Sequence, residues 1–368
     1  MENLFFELIR LSIGTGGELS SAPASNQWRQ LFAMAKKQAV AGICFEGVQK
    51  LAKENADVTK DLPKTLLMQW LTFAANIQDR NELMEQRCSE LQHKLNEAGF
   101  CSSILKGQGI GSLYGPQLKQ LRHPGDIDIW IDGGMAKAMK FCSEKFGQVE
   151  YDYVNAHTPF FKDVEVELHW RPFVFPNLLR NAKAQRWLET SAIKASLTGG
   201  RAVLSHGEEI VTPSRTFNAF YLLQHCYHHM FESGLGLRQL MDYYFLLRHL
   251  TSDDRKTAYS WICKYGMRRF ASAVMWIEQS VFGLDAEYLL CTPDEKEGHF
   301  ILREVMAGGN FGHHDGRIRT ITQGKLQFLF ANIQHNWHLV THYPTEFFWA
   351  PVWLAYHWLW KRTGIWLG

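Results

Sequence analysis

Two aspartates, Asp126 and Asp128, are spaced so that they could bind divalent cations together. They lie in residues 126–131, where polar and apolar residues alternate after the chain breakers Pro124 and Gly125, which predicts a half-buried β-strand. Residues i and i+2 of a strand point to the same face, about 6.5 to 7 Å apart along the chain. Both carboxylates could therefore bind hard cations such as Mg²⁺, which hold the attacking oxygen, the phosphorus and the leaving group in phosphoryl and nucleotidyl transfer.

A third carboxylate is expected from a neighbouring strand, where it would bind the metal nearest the attacking hydroxyl and favour loss of the hydroxyl proton. Residues 164–170 alternate with period two and predict such a strand, and Glu167 is the candidate within it. Glu165 lies on the same predicted face two residues earlier, so the alternation leaves both glutamates open. His169 shares that face and would position Glu167 or the substrate, or pack without a chemical role.

A phosphate-binding corner is predicted upstream of the aspartates. The short run at residues 102–105 ends in Lys106 and Gly107, as a strand leading into a tight turn would. The ammonium group of Lys106 would provide a positive charge for a triphosphate, although an ordinary exposed lysine at a strand end has the same signature. Arg122 precedes the acidic strand by four residues, where its guanidinium could bind a phosphate or form a salt bridge with one of the acids.

Three regions are predicted from the periodicity of the apolar residues. Residues 1–96 have helical spacing, with Pro63 placed to open a long helix. Residues 97–205 interleave strands with helices, which is typical of an α/β or α+β core, and residues 206–368 return to helical spacing. The carboxylates therefore lie in a small central region between two helical flanks.

Three histidines, His225, His228 and His229, lie close together in one predicted helix. Imidazoles at i and i+3 or i+4 share a helix face, as in zinc sites, but no cysteine or acid at matching spacing completes such a site nearby. A helix that faces substrate or packs in the core is therefore favoured. Arg238 and Asp242 stand at i and i+4, which predicts an ion pair within one helix, with a substrate contact by Arg238 as the alternative.

The bulk composition excludes several classes of protein. The 368 residues, 46% hydrophobic and 21% charged, indicate an ordered globular protein larger than one small domain. The formal net charge of +2 provides no overall attraction to nucleic acid. Seven cysteines are scattered without a CxxC pair, and the N-terminus lacks the pattern of a secretory signal, so a cytoplasmic protein is expected.

The C-terminal region is rich in tryptophan. Trp349, Trp353, Tyr356 and Trp360 are spaced as one helical stripe, which would pack on the protein or lie at a membrane surface. Core packing is favoured, because interfacial helices usually carry a strongly basic polar face and few basic residues accompany this stripe. No apolar run reaches about 18 residues, so stable membrane insertion is not expected.

Taken with their order along the chain, these residues resemble a known family. The chain is similar to uncharacterised bacterial nucleotidyltransferase-like proteins of the DNA polymerase β nucleotidyltransferase superfamily, and the similarity covers most of its length. It rests on Leu105-Lys106-Gly107, Leu113-Tyr114, Arg122, Asp126-Ile127-Asp128, Glu167-Leu168-His169-Trp170, His225, His228, Leu237-Arg238 and Asp242. The resemblance implies an α+β fold with a minimal polymerase-β-like nucleotidyltransferase mixed sheet and helices, flanked by N-terminal and C-terminal helical regions. It also implies a two-metal site and a helical region that helps to bind substrate.

This chain departs from the superfamily pattern at the first strand. Members commonly place Gly-Ser there, whereas Gly107 is followed by Gln108. Phosphate binding is then left to the backbone at Gly107 and Gln108 and to Lys106. An alternative alignment takes Gly111-Ser112 as the pair, but that pair falls inside a predicted helix, so Gly107 is preferred.

The leading hypothesis is a metal-dependent nucleotidyltransferase that moves a nucleoside monophosphate from a nucleoside triphosphate to an unidentified acceptor hydroxyl. Asp126, Asp128 and Glu167 would be catalytic and would hold two Mg²⁺ or Mn²⁺ ions. The alternative is a catalytically inactive relative acting as a nucleotide sensor or protein-interaction module, which Gln108 motivates. The donor base, the acceptor (a small molecule, a protein or an RNA end) and the oligomeric state are left open.

Overall fold

Helices make up most of this chain and surround one small mixed sheet. In the computed structural model, residues 1–232, 234–310 and 339–363 are described. The helices are α1 (Glu2–Ile13), α2 (Ser25–Lys37), α3 (Ala41–Glu54), α4 (Ala56–Thr59), α5 (Lys64–Glu97), α6 (Gln108–Gly111), α7 (Gly115–Lys119), α8 (Gly134–Phe146), α9 (Leu178–Leu188), α10 (Ser191–Leu197), α11 (Arg215–Glu232), α12 (Leu237–Leu247), α13 (Ser252–Lys264), α14 (Arg268–Phe282), α15 (Glu295–Gly308) and α16 (Pro344–Thr363). The strands are β1 (Ser102–Ile104), β2 (Ile127–Ile131), β3 (Glu150–Tyr151), β4 (Asn155–Thr158), β5 (Val166–His169), β6 (Gly200–Val203) and β7 (Glu209–Thr212).

The predicted α+β fold class is confirmed, and the central sheet is mixed. Its strand order is β1-β2-β5-β4-β3, and β6 and β7 form a separate hairpin. Strand β2 pairs with β5 in parallel, whereas the other neighbouring pairs of this sheet are antiparallel. The parallel pair brings together the two segments in which the carboxylates were predicted.

Strand β2 is buried on both faces, so the prediction of a half-buried strand was wrong. Ile127, Ile129 and Ile131 point into a core formed with α5 and α8. Asp128 and Trp130 point to the opposite face, where the C-terminal helices cover them, and both are under 8% exposed. Helices pack over the face that solvent would otherwise reach. The polar positions of the alternating pattern therefore belong to a buried site.

A larger helical core is shared by helices from both ends of the chain. It includes the fully buried Trp28 and Trp70 from the N-terminal helices and the fully buried Phe217, Tyr243 and Phe270 from the C-terminal helices. The predicted division of the chain after residues 96 and 205 stays a prediction. All seven cysteines are free thiols, which agrees with the absence of a disulfide pattern in the sequence.

The C-terminal stripe packs on the protein, as favoured from the sequence. Tyr356 and Trp360 of α16 are buried against Tyr153, and Trp353 packs at the edge of this cluster. His357 forms an ion pair with the carboxylate of the residue preceding Tyr153. No helix among the described residues combines the length and apolarity needed to cross a membrane.

Glu278 of α14 is an unusual member of the helical core. It is fully buried, and both of its carboxyl oxygens lack a hydrogen-bond partner within the described ranges. Burial raises the pKa of Glu278 well above its ordinary value, so the folded protein keeps this carboxyl neutral. The unfolded chain loses the same proton near the ordinary value. The free energy of unfolding therefore falls as the pH rises from that value to the folded pKa.

Replacing this carboxyl by an apolar side chain should stabilise the protein. Glu278→Met is expected to raise the free energy of unfolding at neutral pH by about 1 to 3 kcal/mol, the cost of an unpaired buried polar group. Urea denaturation at several pH values measures this gain, which should grow with pH. Glu144→Met on α8, where the side chain is 67% exposed, is the control and should change stability by less than about 0.5 kcal/mol. A destabilised Glu278→Met protein would show that the carboxyl has a stabilising role.

Candidate functional site

A cavity of about 490 Å³ lies where the sheet meets helices α11 and α16. Its floor is made by β2, β5 and the segment between β1 and α6, which place Asp126, Asp128, Glu167 and Lys106 on its surface. One wall is the α11 face that carries the predicted histidines. The predicted catalytic carboxylates are therefore brought together in one concave site.

Strand register explains why Asp128 and Glu167 meet. They are direct partners in the parallel pairing of β2 with β5, so their side chains project from neighbouring strands towards the same cavity. Asn155 of β4 donates a hydrogen bond from Nδ2 to Glu167 Oε2 at 2.6 Å, which holds this carboxylate in place. Asp126 lies one residue before β2 and faces the cavity from the edge of the cluster.

His169 bridges the two paired carboxylates. Its Nε2 atom lies 3.0 Å from Asp128 Oδ1 and 3.2 Å from Glu167 Oε2, while Nδ1 lies 3.2 Å from the Arg171 carbonyl oxygen. Burial alone would lower the pKa of His169, but hydrogen bonds to the two carboxylates outweigh it and raise the pKa to about 9. For Glu167, burial is likewise outweighed by His169, and its pKa lies below the ordinary value. His169 therefore supports the carboxylates directly, which was one of the roles predicted for it.

Lys106 provides the second positive charge of the cluster. Its Nζ atom lies 2.9 Å from Asp128 Oδ2 and 3.8 Å from Asp126 Oδ1. Burial lowers the pKa of Lys106, but the charges of Asp128 and Asp126 outweigh that effect, so its pKa is raised. The side chain is only 16% exposed, so Lys106 is not an ordinary surface lysine. Its positive charge therefore compensates the negative charges of the two aspartates.

The residues present fit a divalent cation. Asp128 and Glu167 each offer one oxygen and His169 offers one ring nitrogen, and these atoms lie within 4.8 Å of one another. Binding through His169 would require loss of the proton that its raised pKa retains at neutral pH. Carboxylate oxygens suit Mg²⁺ and Mn²⁺, whereas an imidazole nitrogen suits Mn²⁺ and other transition metals better than Mg²⁺. These three residues could hold one ion. A second ion would depend on Asp126 together with oxygens of a bound phosphate.

The turn after β1 confirms the need for glycine but places Gln108 away from the cavity. Gly107 has φ 62°, a left-handed conformation that favours glycine, and its carbonyl accepts from the backbone N–H of Gly111. The Gln108 side chain is buried and donates to Asn81 Oδ1 at 3.1 Å. The hydroxyl of Ser112 donates to the Gly109 carbonyl at 3.1 Å. Neither polar side chain lines the cavity in the described part of the chain.

Glu165 lies outside the cluster. Its side chain is exposed and lines a separate cavity on the far side of Asp126. Its backbone carbonyl accepts a hydrogen bond from the Ile127 N–H at 3.0 Å, so this residue helps to pair β5 with β2. Of the two glutamates that the alternation left open, Glu167 is therefore the one beside Asp128.

Arg122 and Asp242 form a buried ion pair that the helical spacing of Arg238 and Asp242 did not predict. Arg122 donates from Nε to Asp242 Oδ1 at 2.6 Å and from Nη2 to Oδ2 at 2.7 Å, and the Tyr114 hydroxyl donates to Oδ1 at 2.7 Å. The bidentate geometry of Arg122 satisfies both carboxylate oxygens of Asp242. Arg238 donates to the His123 carbonyl at 3.3 Å and also interacts with the charge of Asp242, so the predicted pair within the helix stays a prediction. Arg122 therefore supports the segment before Asp126 and does not face the cavity.

The α11 histidines face the cavity without forming a zinc site. His225 and His229 lie 3.1 Å apart through their Nε2 atoms. His228 forms an ion pair with Glu232 four residues later, so the expectation that no acid stands at matching spacing was wrong. Burial lowers the pKa of His225 and of His229 well below the ordinary value, so both are neutral. Across the described ranges, the one group of three or more metal-binding side chains is Asp128, Glu167 and His169. The helix that was expected to face substrate or pack in the core lines the cavity, and its role there stays a prediction.

Several cavity residues were missed by the sequence analysis. Asn155, Tyr221, Gln224, Glu232 and Trp353 all line the cavity. They come from β4, α11 and α16, and none belongs to a short motif. The sequence does not show that these residues meet in one cavity, because packing between distant elements brings them together.

The comparison with known proteins agrees with the geometry. The profile of a family described as uncharacterised nucleotidyltransferase matches residues 24–283, which is more than half of the chain. No curated protein and no solved structure matches the chain. The matched range contains the carboxylate cluster, Lys106 and the α11 histidines, whereas α16 lies beyond it. With its acidic cluster and mixed sheet, this chain belongs to the uncharacterised nucleotidyltransferase family.

Proposed function

We propose that this protein transfers a nucleoside monophosphate from a nucleoside triphosphate to an acceptor hydroxyl. The observation that supports this most directly is the cluster of Asp126, Asp128 and Glu167 at the floor of a concave cavity. Membership of a nucleotidyltransferase family gives the reaction class. The seven free thiols support a reducing cytoplasm as the place of this activity.

Each charged residue has a role in this proposal. Asp126 and Asp128 hold the divalent ions and orient the triphosphate. Lys106 compensates part of the negative charge of the two carboxylates and of the phosphate groups. Divalent ions, when bound, neutralise the phosphate oxygens and acidify the acceptor hydroxyl. Glu167 lies on the acceptor side, and His169 and Asn155 keep its carboxylate oriented. Two ions, Mg²⁺ or Mn²⁺, are proposed.

The reaction exchanges one phosphorus–oxygen bond for another. The acceptor oxygen forms a bond to the α-phosphorus, and the bond between this phosphorus and the bridging oxygen of pyrophosphate breaks. The hydroxyl proton is lost on the side of Glu167, and the leaving pyrophosphate carries the displaced electron pair. Positioning and charge compensation by the side chains above are sufficient for this chemistry, because phosphoryl transfer needs little covalent help from the protein.

An inactive nucleotide sensor is the second candidate function. Gln108 favours it, since this side chain is bound to Asn81 and is not placed to replace the serine hydroxyl of related enzymes. Membership of a nucleotidyltransferase family and the retention of all three predicted carboxylates in one cavity favour catalysis.

Nucleotide binding tests the donor part of the proposal. Isothermal titration of the four ribonucleoside triphosphates with Mg²⁺, and again with Mn²⁺, is expected to show micromolar binding of at least one donor. The Asp126→Asn/Asp128→Asn double variant should lose this binding, because the ions lose their ligands. Asp132→Asn at the exposed end of β2 is the matched control and should bind like the wild type. Equal binding by the double variant would contradict the assigned site, and binding without turnover would favour the sensor.

A further inference from the structure

A second, smaller pocket opens beside the carboxylate cavity. It has a volume of about 140 Å³ and lies between α11 and α16. We call it the side pocket, and its apolar lining includes Phe175, Tyr227, Phe231, Ala350, Trp353 and Leu354. Gln224, His228, Glu232, Trp353 and Leu354 line both spaces, so the side pocket adjoins the carboxylate cavity.

The volume of the side pocket suits one six-membered ring. An apolar cavity of about 150 Å³ in another protein binds benzene, which gives the scale for the pocket described here. Aromatic walls favour such a guest, because stacked and edge-to-face ring contacts contribute about 0.5 to 1.5 kcal/mol beyond burial. The pocket is too small for a second ring system.

The polar groups of the side pocket favour an uncharged ligand that carries a hydrogen-bond donor. At its junction with the carboxylate cavity, His228 and Glu232 form an ion pair that compensates both charges. At another wall, Glu346 is 4% exposed, and its Oε1 atom accepts a hydrogen bond from Arg180 at 2.7 Å. Glu346 Oε2 is buried without a hydrogen-bond partner in the described part of the chain. A donor on the guest would satisfy this oxygen.

We propose that the side pocket binds the acceptor, and that the acceptor is an alcohol carrying a single benzene-sized ring with a hydrogen-bond donor, such as a phenol, on that ring. This inference rests on the proposed function. The ring would occupy the side pocket, while the reacting hydroxyl would extend past His228 towards Glu167. Because the two spaces share their lining along α11 and α16, a molecule that extends past His228 would reach both.

The donor nucleobase is a poorer occupant of the same pocket. A base carries several hydrogen-bonding groups along its edge, and each group left unpaired in an apolar pocket costs about 1 to 3 kcal/mol. The walls contributed by Phe175, Phe231, Ala350 and Leu354 offer no side-chain partners for such an edge. A ring with one donor matches the single unpaired oxygen of Glu346.

Binding of three probe alcohols tests this proposal. The probes are 2-(4-hydroxyphenyl)ethanol, 2-phenylethanol, which lacks the phenol, and the open-chain polyol sorbitol. Saturation-transfer NMR on the full chain is expected to rank their affinities in that order. Ala350→Phe places a ring into the side pocket and should weaken binding of the first probe by about ten- to a hundredfold, the value of burying one phenyl ring. The milder Ala350→Val should weaken it less.

The matched control is Val352→Phe, which adds the same ring on the exposed side of α16, where Val352 is 44% exposed. It should leave probe binding unchanged, and thermal unfolding confirms that each variant is folded. Equal binding of the phenolic probe to Ala350→Phe and wild type, or a preference for sorbitol, would overturn the proposal. So would loss of Mg²⁺–triphosphate binding in folded Ala350→Phe, since the pocket would then hold the base.

Failure of the proposed function gives a different result. Triphosphate binding by the wild type without binding of either ring compound would overturn the side-pocket assignment alone. Ring binding by a wild type that binds no triphosphate would overturn nucleotidyl transfer, and the acceptor role with it.

Discussion

Glu167→Gln is expected to slow nucleotidyl transfer by about 10²- to 10⁴-fold, the usual contribution of a group that promotes proton loss in the transition state. The substitution keeps the size of the side chain and one oxygen for its neighbours, but it removes the negative charge next to the attacking hydroxyl. Binding of the triphosphate should remain, because Asp126 and Asp128 provide the donor side of the site. The measurement is release of pyrophosphate from the triphosphate with water or an alcohol as acceptor.

Glu165→Gln is the matched control for this experiment. It makes the same chemical change two residues earlier on the chain, at an exposed position outside the carboxylate cavity. Wild-type rates are expected for Glu165→Gln. If Glu165→Gln and Glu167→Gln lost activity equally, the assignment of the third carboxylate to Glu167 would be wrong.

Asp242→Leu is expected to lower the free energy of unfolding by about 3 to 5 kcal/mol, because it leaves the buried guanidinium of Arg122 without its counter-charge. Arg122 is 4% exposed and Asp242 is 5% exposed, so water does not compensate the loss. Tyr114 would also lose the acceptor of its hydroxyl. Urea denaturation followed by circular dichroism measures the change.

Two further variants separate the cost of an unpaired charge from other effects. The double variant Arg122→Met/Asp242→Leu removes both charges and should recover much of the stability lost by Asp242→Leu. Asp253→Asn breaks an exposed pair with Lys256, in which the side chains are 94% and 77% exposed, and should cost less than about 1 kcal/mol. A double variant less stable than Asp242→Leu would contradict this account of the pair.

The pair of Arg122 and Asp242 shows that a local sequence pattern does not identify every partner of a buried residue. Arg238 and Asp242 stand at helical spacing, which predicts a pair within one helix. Every residue of α12 is buried, however, so Asp242 also meets residues from distant parts of the chain. Arg122, 120 residues before Asp242, donates one hydrogen bond to each oxygen of its carboxylate. No local pattern could indicate that partner, because the choice depends on which segments pack together.

The sequence by itself determined strands β1, β2 and β5, the alternation that puts Asp126 and Asp128 on one face, and the glycine at the turn after β1. These features are local, since strand geometry and a left-handed backbone are properties of a few consecutive residues. Only the tertiary structure decided that Glu167 stands beside Asp128, that His169 bridges them, and that Gln108 turns away. It also decided that α11 and α16 enclose a side pocket. These outcomes depend on strand pairing and on burial of apolar surface by elements far apart in the chain, and both are settled by the packing of the whole molecule.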